Sequence, residues 1–111
     1  MSVGDWVPIC PYETIESERG VAALIGERQV AVFRTHDGSL YAIDNLDPCS
    51  GAHVMSRGIV GTRGDAVVVS SPMHKQTFDL RTGVCLDAPD VSLRIHPVRR
   101  RDSIVEVGRV P

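Results

Sequence analysis

Two short segments of the chain hold side chains that can bind a metal. Asp47, Cys49 and His53 lie in the first segment, and His74 lies in the second. Carboxylate, thiolate and imidazole groups are all zinc ligands, so these side chains predict a mononuclear metal site if the two segments converge. The sequence shows no partner groups that would orient such ligands, which favours chance clustering as the alternative.

The cysteines suggest neither a disulfide framework nor a reactive thiol. Cys10, Cys49 and Cys85 cannot all pair, and none belongs to a C-x-x-C motif, so a zinc ribbon is not indicated either. Near Cys49 in sequence the only basic residue is Arg57, and no general base follows at a fixed spacing. A low thiol pKa is therefore not predicted for Cys49. We expect Cys10 and Cys85 to be small core residues.

Short apolar runs separated by turn residues predict an all-β fold. Asp37-Gly38, Arg63-Gly64-Asp65 and Arg81-Thr82-Gly83 each separate two apolar runs, which is typical of hairpins. Residues 91–98 alternate apolar and polar side chains and begin a final hairpin that turns at 99–102. No segment holds a 3.6-residue period for three turns. We therefore expect a small barrel or sandwich of about nine or ten antiparallel strands.

Length and composition exclude several classes of protein. A chain of 111 residues with 42% hydrophobic content can bury a core without metal or disulfides, so we expect one domain over residues 1–111. A net charge of -2 does not favour nucleic-acid binding. No apolar run reaches the roughly 18 residues that cross a membrane, and the first residues lack a basic signal-peptide region. The sequence predicts a cytoplasmic protein that is monomeric when isolated.

The two candidate segments, 45–58 and 71–83, resemble the cluster-binding loops of Rieske iron-sulfur domains. In that family two Cys and two His hold a [2Fe-2S] cluster, as C-x-H in one loop and C-x-x-H in the other. Matching Gly51-Ala52 and Phe78-Asp79-Leu80 to the family's Gly-Ala and Phe-Asp-Leu sets the register of both loops. The ligand positions then correspond to Asp47, Cys49, Ser71 and His74. Only His74 is the family's ligand type, so the resemblance implies a Rieske-like fold with degenerate loops that bind no cluster.

Further segments resemble one cluster-free branch of that fold. They are Val30-Ala31-Val32-Phe33-Arg34, Asn45-Leu46-Asp47-Pro48, Val54-Met55-Ser56-Arg57-Gly58-Ile59-Val60-Gly61, and Ser71-Pro72 with Lys75-Gln76 and Phe78. Together they are similar to the small subunit of the assimilatory NAD(P)H-dependent nitrite reductase. That resemblance implies a non-catalytic subunit that joins a large subunit carrying FAD, a [4Fe-4S] cluster and siroheme, which uses NAD(P)H to reduce nitrite to ammonium. Cys49 departs from the pattern, because an aromatic residue is usual there.

The candidate partner-binding residues are Met55, Arg57, Met73, Lys75 and Gln76. They combine soft apolar and long polar side chains, as protein interfaces do. In cluster-bearing relatives the loop tips face the electron-transfer partner, so the resemblance implies that this chain keeps the same docking face. Met55 has an alternative role in the core of its loop. Two other functions also remain open at this point, a Rieske-type ferredoxin that carries electrons and a stand-alone binding module.

Overall fold

The computed structural model describes residues 4–73 and 75–109. Within these residues the chain forms antiparallel strands, which are β1 Asp5–Pro11, β2 Arg19–Ile25, β3 Arg28–Arg34, β4 Leu40–Asp44, β5 Ile59–Arg63, β6 Ala66–Ser70, β7 Thr77–Asp79, β8 Ile95–His96, β9 Val98–Arg101 and β10 Ile104–Arg109. Two short 3-10 helices, η1 Tyr12–Thr14 and η2 Met55–Arg57, join them. These elements confirm the predicted all-β class. In the described ranges there is no helix long and apolar enough to cross a membrane.

The described strands form sheets with the orders β1-β10-β9, β2-β3-β4-β8 and β5-β6-β7. Gly38, at a φ of +86°, forms the predicted turn between β3 and β4. Gly64, at +61°, forms the predicted turn between β5 and β6. Both positions lie in the left-handed region that glycine occupies without steric cost. The first two predicted hairpins are therefore confirmed.

The turn predicted at 99–102 is wrong, because Arg99 lies in β9 and pairs with Glu106 of β10. The Nε of Arg99 donates to Glu106 Oε1 at 2.7 Å. Its guanidinium also lies 4.1 Å from the centre of the Trp6 ring. These cross-strand contacts stabilise an arginine-rich segment in extended backbone, which its polar composition alone does not reveal.

The predicted strand at 91–98 is interrupted at Pro97. Proline has no amide hydrogen for a sheet ladder, and the strand on its amino side pairs with β4 while the strand after it pairs with β10. Residues 91–93 instead pack over the turn of the third predicted hairpin, where Leu93 N donates to Gly83 O at 2.7 Å. That hairpin is reduced to a single bridge between Phe78 and Cys85.

The described residues pack into two buried clusters. The first lies around the two candidate loops and contains Ala31, Phe33, Ile43, Met55, Val60, Val69, Phe78, Leu80, Cys85 and Leu93. The second lies between the β1-β10-β9 and β2-β3-β4-β8 sheets and contains Tyr12, Ile15, Ile25, Val30, Val32, Ala42, Val105 and Val107. Cys85 is a fully buried core residue as predicted, whereas Cys10 is half-buried at the edge of the second cluster. The first cluster supports both loops from beneath.

Candidate functional site

The two loops meet through Asp47 and Ser71, the residues that the resemblance predicts at the thiolate positions. Asp47 is fully buried in the first loop, and Ser71 is buried at the end of β6. The Oγ of Ser71 donates to Asp47 Oδ2 at 2.5 Å. The two segments therefore converge, and what joins them is a short hydrogen bond between a hydroxyl and a carboxylate.

The remaining contacts of Asp47 close the first loop on itself. Its Oδ1 accepts from the amide of Cys49 at 2.8 Å, and its backbone carbonyl accepts from Gly51 N at 2.8 Å. Burial raises the pKa of Asp47, but the hydrogen bonds from Ser71, Cys49 and Ser50 together hold that pKa below its ordinary value. The carboxylate is thus ionised at neutral pH, and both of its oxygens act as acceptors.

These residues do not fit a Rieske cluster, which takes two thiolates and two imidazoles. Asp47 and Ser71 offer oxygen atoms that already bond each other. Cys49 occupies a histidine position, and its side chain is exposed. His74, the fourth predicted position, lies outside the described residues. In the described part of the chain no group of three or more His, Cys, Asp or Glu side chains is placed to hold a metal ion, so the zinc interpretation gains no support there.

We expect the purified protein to be free of iron and colourless, since oxygen donors replace both thiolates. The measurement is the absorbance between about 400 and 600 nm, where thiolate-to-iron charge transfer would appear. A cluster-bearing Rieske ferredoxin prepared anaerobically in parallel is the positive control. Stoichiometric iron and acid-labile sulfide in this protein would contradict the expectation.

Cys49 lies in an environment that disfavours the thiolate. Desolvation raises its pKa most, and the negative charge of Asp47 and the neighbouring Cys85 raise it further. Because the thiolate is the reactive form, we expect Cys49 to react with iodoacetamide no faster than free cysteine at pH 7. Mass spectrometry of the alkylated peptides gives the rate, and Cys49→Ser gives the background from the other thiols. A faster rate than free cysteine would show an activated thiol instead.

Asn45 organises the first loop, and the sequence analysis gave it no such role. It is 2% exposed, and its Nδ2 donates to Gln29 Oε1 at 3.1 Å and to His53 O at 3.2 Å. Its Oδ1 accepts from Ser56 N at 2.8 Å. One side chain therefore ties both halves of the loop to β3. The sequence feature that could have indicated this role is the position of the Asn45 carboxamide, directly after the apolar strand β4.

The prediction that Met55 contacts a partner is wrong, and its alternative role in the core is confirmed. Met55 is fully buried, in the same cluster as Phe33 and Phe78. It lies in η2, which packs so tightly on β2 that a Cβ on Gly20 would come within 2.7 Å of Ser56 O. This close approach holds η2 against β2, with the Met55 side chain inside the core.

The other candidate partner residues lie at or near the surface of the two loops. Arg57 and Lys75 are exposed, and Met73 is 53% exposed. Gln76 is half-buried, and its Oε1 has no hydrogen-bond partner among the described residues. Ile59, which is not among the predicted partner residues, is 75% exposed. It pairs with Ser70, so it lies at the point where the second loop begins.

Comparison with known proteins identifies the fold and the family. Residues 5–108 match the Rieske-like [2Fe-2S] domain family. The nitrite reductase (NADH) small subunit of Escherichia coli (strain K12) is 36% identical over 106 residues, which are 95% of this chain and 98% of that protein. The chain belongs to the nitrite reductase small subunit family. A crystal structure of an NADH-dependent nitrite reductase small subunit from Mycobacterium tuberculosis matches with a TM-score of 0.95 at 46% identity, covering 99% of both chains.

The nitrite reductase small subunit family also has a relative of a different length. The nitrite reductase [NAD(P)H] large subunit of Klebsiella oxytoca is 42% identical over 103 residues, which are 93% of this chain but 11% of that protein. The same domain therefore occurs as a separate small subunit and as a small part of a large subunit. The resemblance drawn from the two loops is confirmed over nearly the whole chain.

Proposed function

We propose that this chain is the non-catalytic small subunit of a cytoplasmic NAD(P)H-dependent nitrite reductase and that it assembles with the large subunit of that enzyme. The observation that carries the proposal is the match to a small subunit over 98% of that protein's length. The Klebsiella oxytoca relative supports it, because there the domain lies within a large subunit. Covalent linkage gives two domains a high effective concentration, which suits domains that work in contact.

The chemistry is assigned to the large subunit. As the family resemblance implies, that subunit carries FAD, siroheme and a [4Fe-4S] cluster and takes electrons from NAD(P)H to reduce nitrite to ammonium. The hydrogen bond from Ser71 to Asp47 supports a role without electron transfer for this chain, since neither a hydroxyl nor a carboxylate is a redox group. A ferredoxin of the Rieske type would need thiolates at these two positions. We therefore favour the subunit over the electron carrier.

The docking face of the proposal consists of the exposed side chains of the two loops. Met73 supplies a flexible apolar group, and Ile59 at the start of β5 supplies an aliphatic side chain that is 75% exposed. Arg57 and Lys75 supply positive charge for acidic groups on the large subunit. Gln76 contributes its half-buried amide at the base of the second loop. Exposed apolar side chains beside long basic ones match the composition of interface centres and rims.

Met73→Ala is expected to weaken binding to the large subunit about thirtyfold, because truncation of a central apolar anchor commonly costs about 2 kcal/mol. Arg57→Ala should weaken binding as well, by less if its charge lies at the rim. The dissociation constant of the purified subunits is measured by isothermal titration calorimetry, and the melting temperature of each small-subunit variant is measured in parallel. Arg101→Ala, on an exposed residue of β9, is the matched control and should change neither quantity.

The two proposals fail in different ways. If Met73→Ala lowers the melting temperature and leaves the affinity of the folded protein intact, the loops pack against each other and the docking face is wrong. If the unaltered chain shows no affinity for the large subunit of its own enzyme, the subunit assignment itself is wrong.

A further inference from the structure

A pocket of about 470 Å³ opens beside the first loop. Four separate parts of the chain line it, namely the turn between β2 and β3, the end of β4 with the first loop, the segment around β8, and the end of β10. The volume lies within the roughly 300–1,000 Å³ that small-molecule sites occupy. It belongs to neither the Asp47 and Ser71 contact nor the proposed docking face.

The lining of this pocket is rich in positive charge. Arg28, Arg94 and Arg109 contribute guanidinium groups, against the carboxylates of Glu27 and Asp44. Arg94 and Arg109 are exposed, and neither forms an ion pair within the described part of the chain. Their charge is therefore available to a ligand.

One of the two carboxylates in the lining, Asp44, is already hydrogen-bonded within the protein. Asp44 Oδ1 lies 2.7 Å from His96 Nε2, and that histidine side chain is only 7% exposed. The distance from the same oxygen to Arg28 NH1 is 3.5 Å, at the limit of a hydrogen bond. Asp44 thus bonds mainly to His96, and Arg28 keeps donors that it does not use within the protein.

The backbone at Gly26 leaves space for the side chain of Arg109. Gly26, at a φ of +66°, turns the chain between β2 and β3, and a Cβ there would lie 3.3 Å from Arg109 NH2. Across the pocket, Gln29 Oε1 accepts from Asn45, which fixes the Gln29 amide against the first loop. His53, the neighbouring loop residue, adds an exposed imidazole to the rim. The pocket is thereby joined to the loop that Asn45 holds in place.

We propose that this pocket binds a phosphate group, carried by a small molecule of mononucleotide size. Guanidinium groups bind phosphate through paired hydrogen bonds, and the two that form no ion pair among the described residues, Arg94 and Arg109, match a group that carries close to two negative charges. The volume exceeds that of a phosphate ion alone, so an attached apolar or aromatic portion would fill the remainder beside Ile25 and Leu46. This inference concerns the isolated chain and does not depend on the assignment of a large-subunit partner.

The test is a titration of the 15N-labelled chain with AMP, with inorganic phosphate and with uncharged adenosine at constant ionic strength. AMP and phosphate should shift the backbone amide signals of Gln29, His53 and His96 saturably, with AMP the tighter ligand. Adenosine should bind much more weakly than AMP, since it lacks the phosphate. If phosphate bound as tightly as AMP, the phosphate site would be supported, but the mononucleotide-sized ligand would be wrong and the free ion would be the ligand.

Arg94→Ala and Arg109→Ala should each weaken AMP binding about tenfold, the loss that corresponds to one charged hydrogen bond. Arg101→Ala, which lies outside the pocket, should bind AMP as the unaltered chain does. The dispersion of the amide spectrum shows whether each variant is folded. The absence of saturable shifts with both AMP and phosphate would overturn the proposal. So would unchanged affinity in both folded pocket variants.

Discussion

Gly83→Ala is expected to lower the free energy of unfolding by about 3 kcal/mol or more. Gly83 has a φ of +82°, and a Cβ added to it would fall on the carbonyl oxygen of Leu93. The Leu93 segment cannot retreat without losing the hydrogen bond from Leu93 N to Gly83 O. Since domains of this size are stable by only about 5–15 kcal/mol, the loss would be a large part of the total. Urea denaturation followed by circular dichroism measures it.

Alanine substitutions at two other glycines serve as controls, because they separate the cost of a steric clash from the cost of a positive φ. Gly64 has a φ of +61° with no neighbouring atom within 4 Å of an added Cβ, so Gly64→Ala should cost only about 1 kcal/mol. Gly61 has neither a positive φ nor a close neighbour, and Gly61→Ala should be nearly neutral. If Gly83→Ala cost no more than Gly64→Ala, the contact with Leu93 would not be the reason that glycine is required.

Asp47→Ala is expected to lower the free energy of unfolding by about 3 kcal/mol, because hydrogen bonds to a charged group contribute about 1.5–3 kcal/mol each. The variant would leave the Ser71 hydroxyl and the Cys49 amide without their acceptor in the interior of the loops. Ser71→Ala is the matched control. It removes one donor to Asp47 and the acceptor of the longer bond from Met73 N, at 3.2 Å, but leaves the Cys49 amide bonded to Asp47, so it should cost less than Asp47→Ala. Equal stability of Asp47→Ala and the unaltered chain would show that the hydrogen bond does not hold the loops together.

The same carboxylate should make stability depend on pH. The pKa of Asp47 in the folded state lies below its ordinary value, so its contribution is complete above the unfolded-state pKa of about 4. It is lost as pH falls through the lower folded-state pKa. Asp47→Asn should therefore show a shallower loss of stability than the unaltered chain as the pH falls below about 4. A slope equal to that of the unaltered chain would contradict the assignment.

Two other carboxylates also make the unaltered chain lose stability at acid pH. The contribution of Asp47 is therefore the difference between the pH dependence of the unaltered chain and that of Asp47→Asn. Hydrogen bonds from Thr35 and then Ser39 lower the pKa of Asp37 to about 2. The amide of Thr77, followed by Arg63, also holds the pKa of Asp87 below its ordinary value. Both groups are present in Asp47→Asn, and their contributions therefore cancel when its slope is subtracted.

The sequence by itself determined the all-β class and two hairpin turns. The turns at Gly38 and Gly64 need a positive φ, and a glycine between two apolar runs indicates that local geometry directly. Asp47 and Ser71 were placed in corresponding positions by short motifs that surround them. The residues alone left the convergence of the two loops as a condition, and the hydrogen bond from Ser71 to Asp47 shows that they do converge.

Only the tertiary structure decided which long-range contacts form. Met55 and Met73 are the same residue type in neighbouring loops, yet Met55 is fully buried and Met73 is 53% exposed. The difference arises because η2 packs against β2, a strand far away in sequence. Arg99 lies in a strand for a similar reason. Its partner Trp6 is far away in sequence, and no sequence pattern marks Glu106 as its other partner. The pocket that contains Arg28, Arg94 and Arg109 is lined by four remote parts of the chain, so no local spacing could reveal it.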